Sequence, residues 1–289
     1  MARQIRNVGA SVRARLLQVA KQSGQNYDLI LNRYVIERLL YRLTQSRHAD
    51  RFVLKGAMLL MTWFDQPYRV SRDLDLLAYI EPIPEAVLEI FREIFEIEGF
   101  DGVRFDAREA RIDRIRVDSG YGGFRIRTRA DIGGARIAAS IDVAFGDATD
   151  PEPKIVDYPV LLEMPGPRLR GYAPETVVAE KFHAMVVLGR ANSRMKDYFD
   201  IWMLSQSHEF ERERLARAIT ATFDRRRTVI PHETPDALSP EFANDALKQR
   251  QWGAFMQDIV AARVSLPEVV EALEALLMPA AGAALDRSD

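Results

Sequence analysis

The sequence of 289 residues contains no cysteine. This absence excludes disulfide bonds and thiolate metal sites. Histidine is also scarce, and the four histidines are scattered without the spacing of metal ligands: His48, His183, His208 and His232. Any metal ion that the protein binds must therefore be held by oxygen atoms.

Long apolar runs are missing as well. No stretch approaches the roughly 20 consecutive apolar residues that a bilayer-spanning helix needs. In residues 1–22, arginine and polar residues interrupt the apolar ones, so this segment lacks the continuous apolar core of a signal peptide. We therefore expect a cytoplasmic protein with no membrane contact.

Charge of either sign is not in excess, since the formal net charge is −2. Nothing in this balance draws the chain toward nucleic acid, so contact with RNA would need a local basic patch. Two patches are candidates, and each can equally be a solvated surface: the Arg125, Arg127 and Arg129 strand face, and residues 225–227. The 47% hydrophobic and 28% charged residues are typical of a globular chain with one large domain or two modest ones.

The periodicity of the apolar residues separates helical from extended segments. Helical spacing predicts helices over 10–48, 57–64, 84–98, 174–188, 194–206, 212–225, 240–264 and 267–277. Short apolar or alternating runs predict strands over 52–54 and 74–80 and an antiparallel meander over 100–146. Residues 147–172 contain five prolines, and we expect an extended connection there.

This order of elements predicts an α+β fold with a mixed or antiparallel sheet core. We expect a helical N-terminal cap over residues 1–49 and the sheet core over 50–165. A larger helical C-terminal domain follows over 166–278, and the small, polar tail over 279–289 is expected to be disordered.

The segment around Asp73 and Asp75 is the most informative part of the chain. Residues two apart on a strand share a face, so the two carboxylates project together while Leu74 and Leu76 point into the core. Adjacent carboxylates repel each other, but they suit one or two divalent cations such as Mg²⁺. The alternative is a pair of acids on a solvated strand face.

Two further features strengthen the first interpretation. Gly56 lies where a strand is predicted to turn into a helix, and backbone N–H groups at a helix start attract phosphate. Asp142 lies on the polar face of a later strand, and three carboxylates converge if that strand pairs beside the one that carries Asp73 and Asp75. A simple turn glycine and an acid on an open sheet face are the alternatives.

Lys181 lies within the apolar stripe of its predicted helix. Its ammonium must either meet an anion, such as a nucleotide phosphate, or reach out to solvent past the core. In the next helix, Asp197 and Asp200 share one face. Surface ion pairs of Asp197 with Arg194 and of Asp200 with Lys196 are the simplest explanation of these two acids.

In order along the chain, these motifs resemble the AbiEii/AbiGii toxin family, whose fold is shared with polymerase-beta-like nucleotidyltransferases. The resemblance spans residues 30–205 and rests on the following motifs: Leu54-Lys55-Gly56-Ala57, Arg69-x-Ser71-x-Asp73-x-Asp75, Ile141-Asp142-Val143, Ala179-Glu180-Lys181 and Arg194-x-Lys196-Asp197-x-x-Asp200. The chain has Gly56-Ala57 where many members have Gly-Gly or Gly-Ser. That difference removes a possible hydroxyl contact and leaves phosphate binding there to backbone N–H groups.

The resemblance implies a role for each matched position. Its nucleotide-binding residues are Lys55, Gly56, Ala57, Ser71 and Lys181. Its catalytic residues are Asp73, Asp75, Lys181, Asp197 and Asp200, and its metal ligands are Asp73, Asp75 and Asp142. The implied cofactor is Mg²⁺, with Mn²⁺ as an alternative, and the implied substrate is an NTP.

The resemblance also implies a biological setting. We expect a toxin of a toxin–antitoxin or phage-defence system that transfers a nucleoside monophosphate to the 3′ end of tRNA. A cognate antitoxin encoded nearby is the expected partner, and it need not bind directly. Two alternatives stay open: a nucleotidyltransferase that modifies a small molecule or a protein, and a non-catalytic nucleotide-binding module of the same fold.

Overall fold

The computed structural model describes residues 7–64, 72–116, 122–257, 259 and 263–287. The chain forms two compact units. The first comprises residues 1–146 and 154–171, and the second comprises residues 147–153 and 172–289. The four-part domain division given above stays a prediction, whereas the α+β fold class is confirmed.

In the first unit, the described residues form four helices. They are α1 (Val8–Ser23), α2 (Tyr27–Gln45), α3 (Gly56–Leu60) and α4 (Pro84–Glu96). The predicted helical region 10–48 is therefore two helices, because Gly24 ends α1 in a left-handed conformation with φ of 66°. α3 is shorter than predicted. Beyond Leu60 the backbone tightens, and the N–H of Thr62 bonds to the carbonyl of Leu59.

Eight strands form a single mixed sheet in the described part of this unit. They are β1 (Phe52–Lys55), β2 (Asp73–Ala78), β3 (Val103–Phe105), β4 (Arg111–Arg116), β5 (Gly122–Ile132), β6 (Ala135–Phe145), β7 (Lys154–Asp157) and β8 (Arg168–Gly171). The strand order is β3-β5-β6-β2-β1-β8-β7, and β4 pairs with β5 beside β3. The predicted antiparallel meander corresponds to β4, β5 and β6.

The long β5–β6 hairpin dominates the sheet. It turns at Gly133 and Gly134, whose φ angles are 54° and 90°, a conformation that glycine adopts with little strain. β6 then lies parallel to β2, and β2 lies antiparallel to β1. The sheet is thus mixed, and β2 is a central strand with a neighbour on each side.

Buried charges attach α2 to the same unit. The guanidinium of Arg42 donates to both carboxylate oxygens of Asp101 at 2.8 and 3.0 Å, and also to the carbonyls of Ile97 and Val103. Arg42 and Asp101 are almost fully buried. Each charge has its partner, as buried ion pairs require.

β7 and β8 were not predicted from the sequence. Each has only four residues, and their charged side chains, such as Lys154 and Arg168, weaken the apolar signal of a strand. β8 extends the sheet by pairing parallel to β1, with Gly171 opposite Leu54. The predicted extended connection over 147–172 is therefore partly sheet.

The second unit is helical in its described residues. Its helices are α5 (Pro174–Leu188), α6 (Met195–Ser207), α7 (Arg212–Arg225), α8 (Pro240–Ala243), α9 (Ala246–Met256) and α10 (Leu266–Leu285). The predicted helix over 240–264 is wrong, because Asp245 starts a new helix by accepting the N–H groups of Leu247 and Lys248. In the described part of the chain, no helix is long and apolar enough to cross a bilayer.

The last helix also differs from the prediction. α10 does not end at Leu277 but runs through Pro279 to Leu285, so residues 279–285, expected to be disordered, are helical. Ala280, Ala281 and Ala284 are buried there. Alanine has the highest helix propensity, and burial of its methyl groups continues the apolar face past the proline.

Candidate active site

The central feature of the first unit is a row of charged residues across four strands. Lys55 on β1 is in register with Asp75 on β2, and Asp75 is in register with Asp142 on β6. Asp142 is in turn paired with Arg125 on β5. Residues at one register position project to the same face of a sheet. The row therefore runs basic, acidic, acidic, basic.

Asp73 joins this row from the same face of β2. The burial of β2 alternates at its start: Asp73 and Asp75 are half-buried, while Leu74 and Leu76 are in the core. The three acids converge only if the Asp142 strand lies beside β2, and the parallel β2–β6 pairing meets that condition. The three acids thus occupy neighbouring strands on one face.

Arg125 holds the third acid. Its Nε and Nη2 atoms donate to the two carboxylate oxygens of Asp142, each at 2.6 Å. This hydrogen-bonded pair, and then the attraction of Asp142, Asp73 and Asp75, raise the pKa of Arg125 above its usual value against the opposing effect of burial. The guanidinium therefore stays charged beside Asp142.

From the sequence, Arg125, Arg127 and Arg129 form either a candidate RNA patch or a solvated strand face, and in the structure all three are paired with acids. Arg127 pairs with Asp113, and Arg129 donates to Glu109 at 3.0 Å. Each arginine thus has its own acidic neighbour, which reduces the positive potential of this strand face. Cross-strand partners of this kind cannot be read from a single segment of sequence.

Gly56 links the turn after β1 to Asp75. Its φ angle is 67°, in the left-handed region that favours glycine. A Cβ atom at this position would overlap the carboxylate of Asp75. The glycine is therefore required for close approach to an acid of β2. α3, which starts at Gly56, has only five residues and supplies little helix dipole.

The donor set matches the chemistry expected of a Mg²⁺ site, since carboxylate oxygens are the preferred ligands of this ion. Asp73 and Asp75 present such oxygens on one face of β2. Among the described residues, however, no three acidic or histidine side chains are already arranged around a common metal position. Both oxygens of Asp142 are engaged by Arg125. The assignment of metal ligands stays a prediction.

The second unit has its own charged cluster, formed by Lys181 on α5 and two acids of α6. The Nζ atom of Lys181 lies 2.5 Å from Asp197 Oδ1 and 2.8 Å from Asp200 Oδ2. Asp200 is fully buried and Asp197 nearly so. The anion that compensates Lys181 thus includes two carboxylates of the protein, an option that the sequence analysis did not consider.

The expected surface ion pairs of α6 are therefore only partly present. Arg194 lies 3.8 Å from Asp197. Asp200 instead points inward to Lys181, and Lys196 is exposed. In the first unit, Lys55 and Ala57 lie next to Gly56 in the β1–α3 turn, and their nucleotide-binding roles stay predictions. Ser71 falls outside the described residues, so its predicted role stays a prediction.

Similarity to known proteins points to one family. A family described as the nucleotidyl transferase AbiEii toxin of a type IV toxin–antitoxin system matches residues 38–279. Among solved structures, a candidate nucleotidyltransferase from Helicobacter pylori aligns with a TM-score of 0.51 at 15% identity, over 91% of this chain and 98% of that chain. JHP933 from Helicobacter pylori aligns with a TM-score of 0.47 at 15% identity, over 87% and 90%. Among curated proteins no sequence matches.

The contact between Gly56 and Asp75 generates a first prediction. Gly56→Ala should lower the free energy of unfolding by about 2–4 kcal/mol, because left-handed backbone strain and overlap with Asp75 add together. Gly24→Ala is the matched control, since Gly24 has nearly the same φ of 66° with nothing near its missing Cβ. We expect the control to lose about 1 kcal/mol. Urea unfolding measures both, and equal losses would contradict the close approach.

The Lys181 cluster generates a second prediction. Lys181→Met should lower the free energy of unfolding by about 3–5 kcal/mol, because it removes the cation that contacts both buried carboxylates, those of Asp197 and Asp200. Adding Asp200→Asn to that variant should recover part of the loss. Lys196→Met, at an exposed position of α6, is the control and should stay within about 0.5 kcal/mol of the parent. A Lys181→Met protein as stable as the parent would show that the cluster needs no compensating charge.

Proposed function

The chain belongs to the AbiEii family of nucleotidyltransferase toxins from type IV toxin–antitoxin systems, and on this basis we propose that it transfers a nucleoside monophosphate from an NTP to an acceptor hydroxyl. The transfer depends on Mg²⁺, for which Mn²⁺ can substitute. The acceptor is the 3′ end of tRNA. A cognate antitoxin counteracts the resulting growth arrest.

One observation carries this proposal: three carboxylates lie on neighbouring strands of one sheet face, next to a glycine turn. Asp73 and Asp75 would hold the divalent ion, and Asp142 would be a third ligand. Such an ion, when bound, would offset the negative charge of the phosphates and orient the NTP for in-line attack. Grouped carboxylates repel one another, and a bound divalent cation would reduce that repulsion.

The remaining residues of the proposal bind and position the nucleotide. Backbone N–H groups at Gly56 and Ala57 are suited to phosphate oxygens, and Lys55 and Ser71 are also assigned to nucleotide binding.

Lys181 is assigned to the triphosphate. Asp197 and Asp200 contribute by holding the ammonium of Lys181 in place.

The acids of β2 provide the test of catalysis. Asp73→Asn and Asp75→Asn should each lower nucleotide transfer by at least about a hundredfold, because each removes a proposed metal ligand. Both residues are half-buried rather than in the core, so the thermal midpoint should change little. Asp113→Asn is the control, because Asp113 is an exposed strand acid whose carboxylate pairs with Arg127 and is not one of the three proposed metal ligands. Transfer by labelled NTP at the parent rate in either β2 variant would refute the metal role.

The acceptor requires a separate experiment. We expect label from one of the four radioactive NTPs to appear on tRNA in the presence of Mg²⁺. Oxidation of the tRNA 3′ hydroxyl should abolish labelling, because that oxygen is the proposed nucleophile. Equal labelling of oxidised tRNA would place the attachment elsewhere. Label on protein or small molecules alone would support the alternative acceptors, and no turnover of any NTP would support a non-catalytic binding module.

A further inference from the structure

Arg125 occupies an unusual position in the charged row. Arg125 on β5 is in register with Asp142 on β6, and Asp142 is in register with Asp75 on β2. Its guanidinium engages both oxygens of Asp142 at 2.6 Å, a two-point geometry that fixes the carboxylate. The exposed fractions of the two side chains are 32% and 19%, so water screens the pair only in part.

The other arginines of this strand face show what is specific to Arg125. Arg127 has the same orientation on β5, because it lies two residues further along the strand. Its partner is Asp113 on β4, and both side chains of that pair are more than half exposed. Arg127 is therefore an ordinary surface ion pair. Arg125 alone among these arginines has its acidic partner within the Asp73, Asp75 and Asp142 row.

A guanidinium and a divalent cation cannot both occupy one carboxylate without repulsion. While Arg125 holds both oxygens of Asp142, this acid cannot give either oxygen freely to a metal ion. Without any cation, the three acids would repel one another. Arg125 thus stabilises the row when the metal is absent and opposes the metal when it arrives.

We propose that Arg125 is a resident counter-ion of the three acids Asp73, Asp75 and Asp142, together with Lys55, and that it competes with the divalent cation for Asp142. This inference rests on the proposed metal-dependent function. Arg125 is a positioning residue that acts through Asp142, and it takes no part in the chemistry. Because of this competition, the affinity for the divalent cation is lower than the affinity of the three carboxylates without Arg125 would be.

The test measures Mg²⁺ binding by calorimetry without NTP, at constant ionic strength, in the full-length protein. Arg125→Gln should lower the Kd for Mg²⁺ by about tenfold, because it removes a unit charge close to the divalent ion. The metal-free variant should melt at a lower temperature than the parent. Saturating Mg²⁺ should close most of that gap, since the ion replaces the lost counter-ion.

Two further variants make the result specific. Arg127→Gln is the matched control on the same strand face, and its Kd for Mg²⁺ should equal that of the parent. Asp142→Asn should raise the Kd by about tenfold, because it removes the contested ligand. This variant carries the test if Arg125→Gln does not fold without metal.

The outcomes separate this inference from the proposed function. If the parent binds Mg²⁺ and Arg125→Gln binds it no tighter, the competition is refuted while the metal-dependent function stands. An Asp142→Asn protein with the parent affinity refutes it as well, because Asp142 is then not contested. If the parent itself binds no Mg²⁺, the metal part of the proposed function fails, and this inference fails with it.

Discussion

The parallel pairing of β2 with β6 is the constraint on which the candidate site depends. It places Asp75 directly beside Asp142, although like charges on neighbouring strands destabilise a sheet. The cost is offset by the flanking basic residues, Lys55 from β1 and Arg125 from β5. The β5–β6 hairpin that places β6 next to β2 also carries Arg125, so Asp142 and its counter-ion belong to one hairpin.

The second unit solves a similar problem with different elements. Asp197 and Asp200 are buried on α6, and Lys181 of α5 lies within hydrogen-bond distance of both. Removing one member of such a cluster leaves a buried charge without compensation, so the cluster ties the two helices together. In each unit, charged residues to which the family resemblance assigns a function also form the local ion pairs. Substitutions in the Lys181 cluster should therefore change stability and activity together.

Local pattern was enough to predict much of the fold. The helical spacing of apolar residues located α5, α6 and α7 within about one residue of their ends. A short apolar run bounded by charged residues located β2, and alternation located the β4–β6 meander. The Asp73 and Asp75 face followed from the period of two in a strand. Four-residue strands such as β7 were missed, because so few residues, several of them charged, give no periodic signal. The run through Pro279 was missed because buried contacts of Ala280 and Ala284 outweigh a local helix breaker.

The sequence by itself determined the oxygen-only chemistry of any metal site, the α+β class and the shared face of Asp73 and Asp75, since each depends on residue identity or on contacts between close neighbours. Only the tertiary structure decided that Asp142 lies beside Asp75, that Arg125 holds Asp142, and that Lys181 has Asp197 and Asp200 as partners. These pairings join residues distant in the chain. Which acid meets which cation depends on strand order, register and helix packing, and those are fixed by burial across the whole unit rather than by any local pattern.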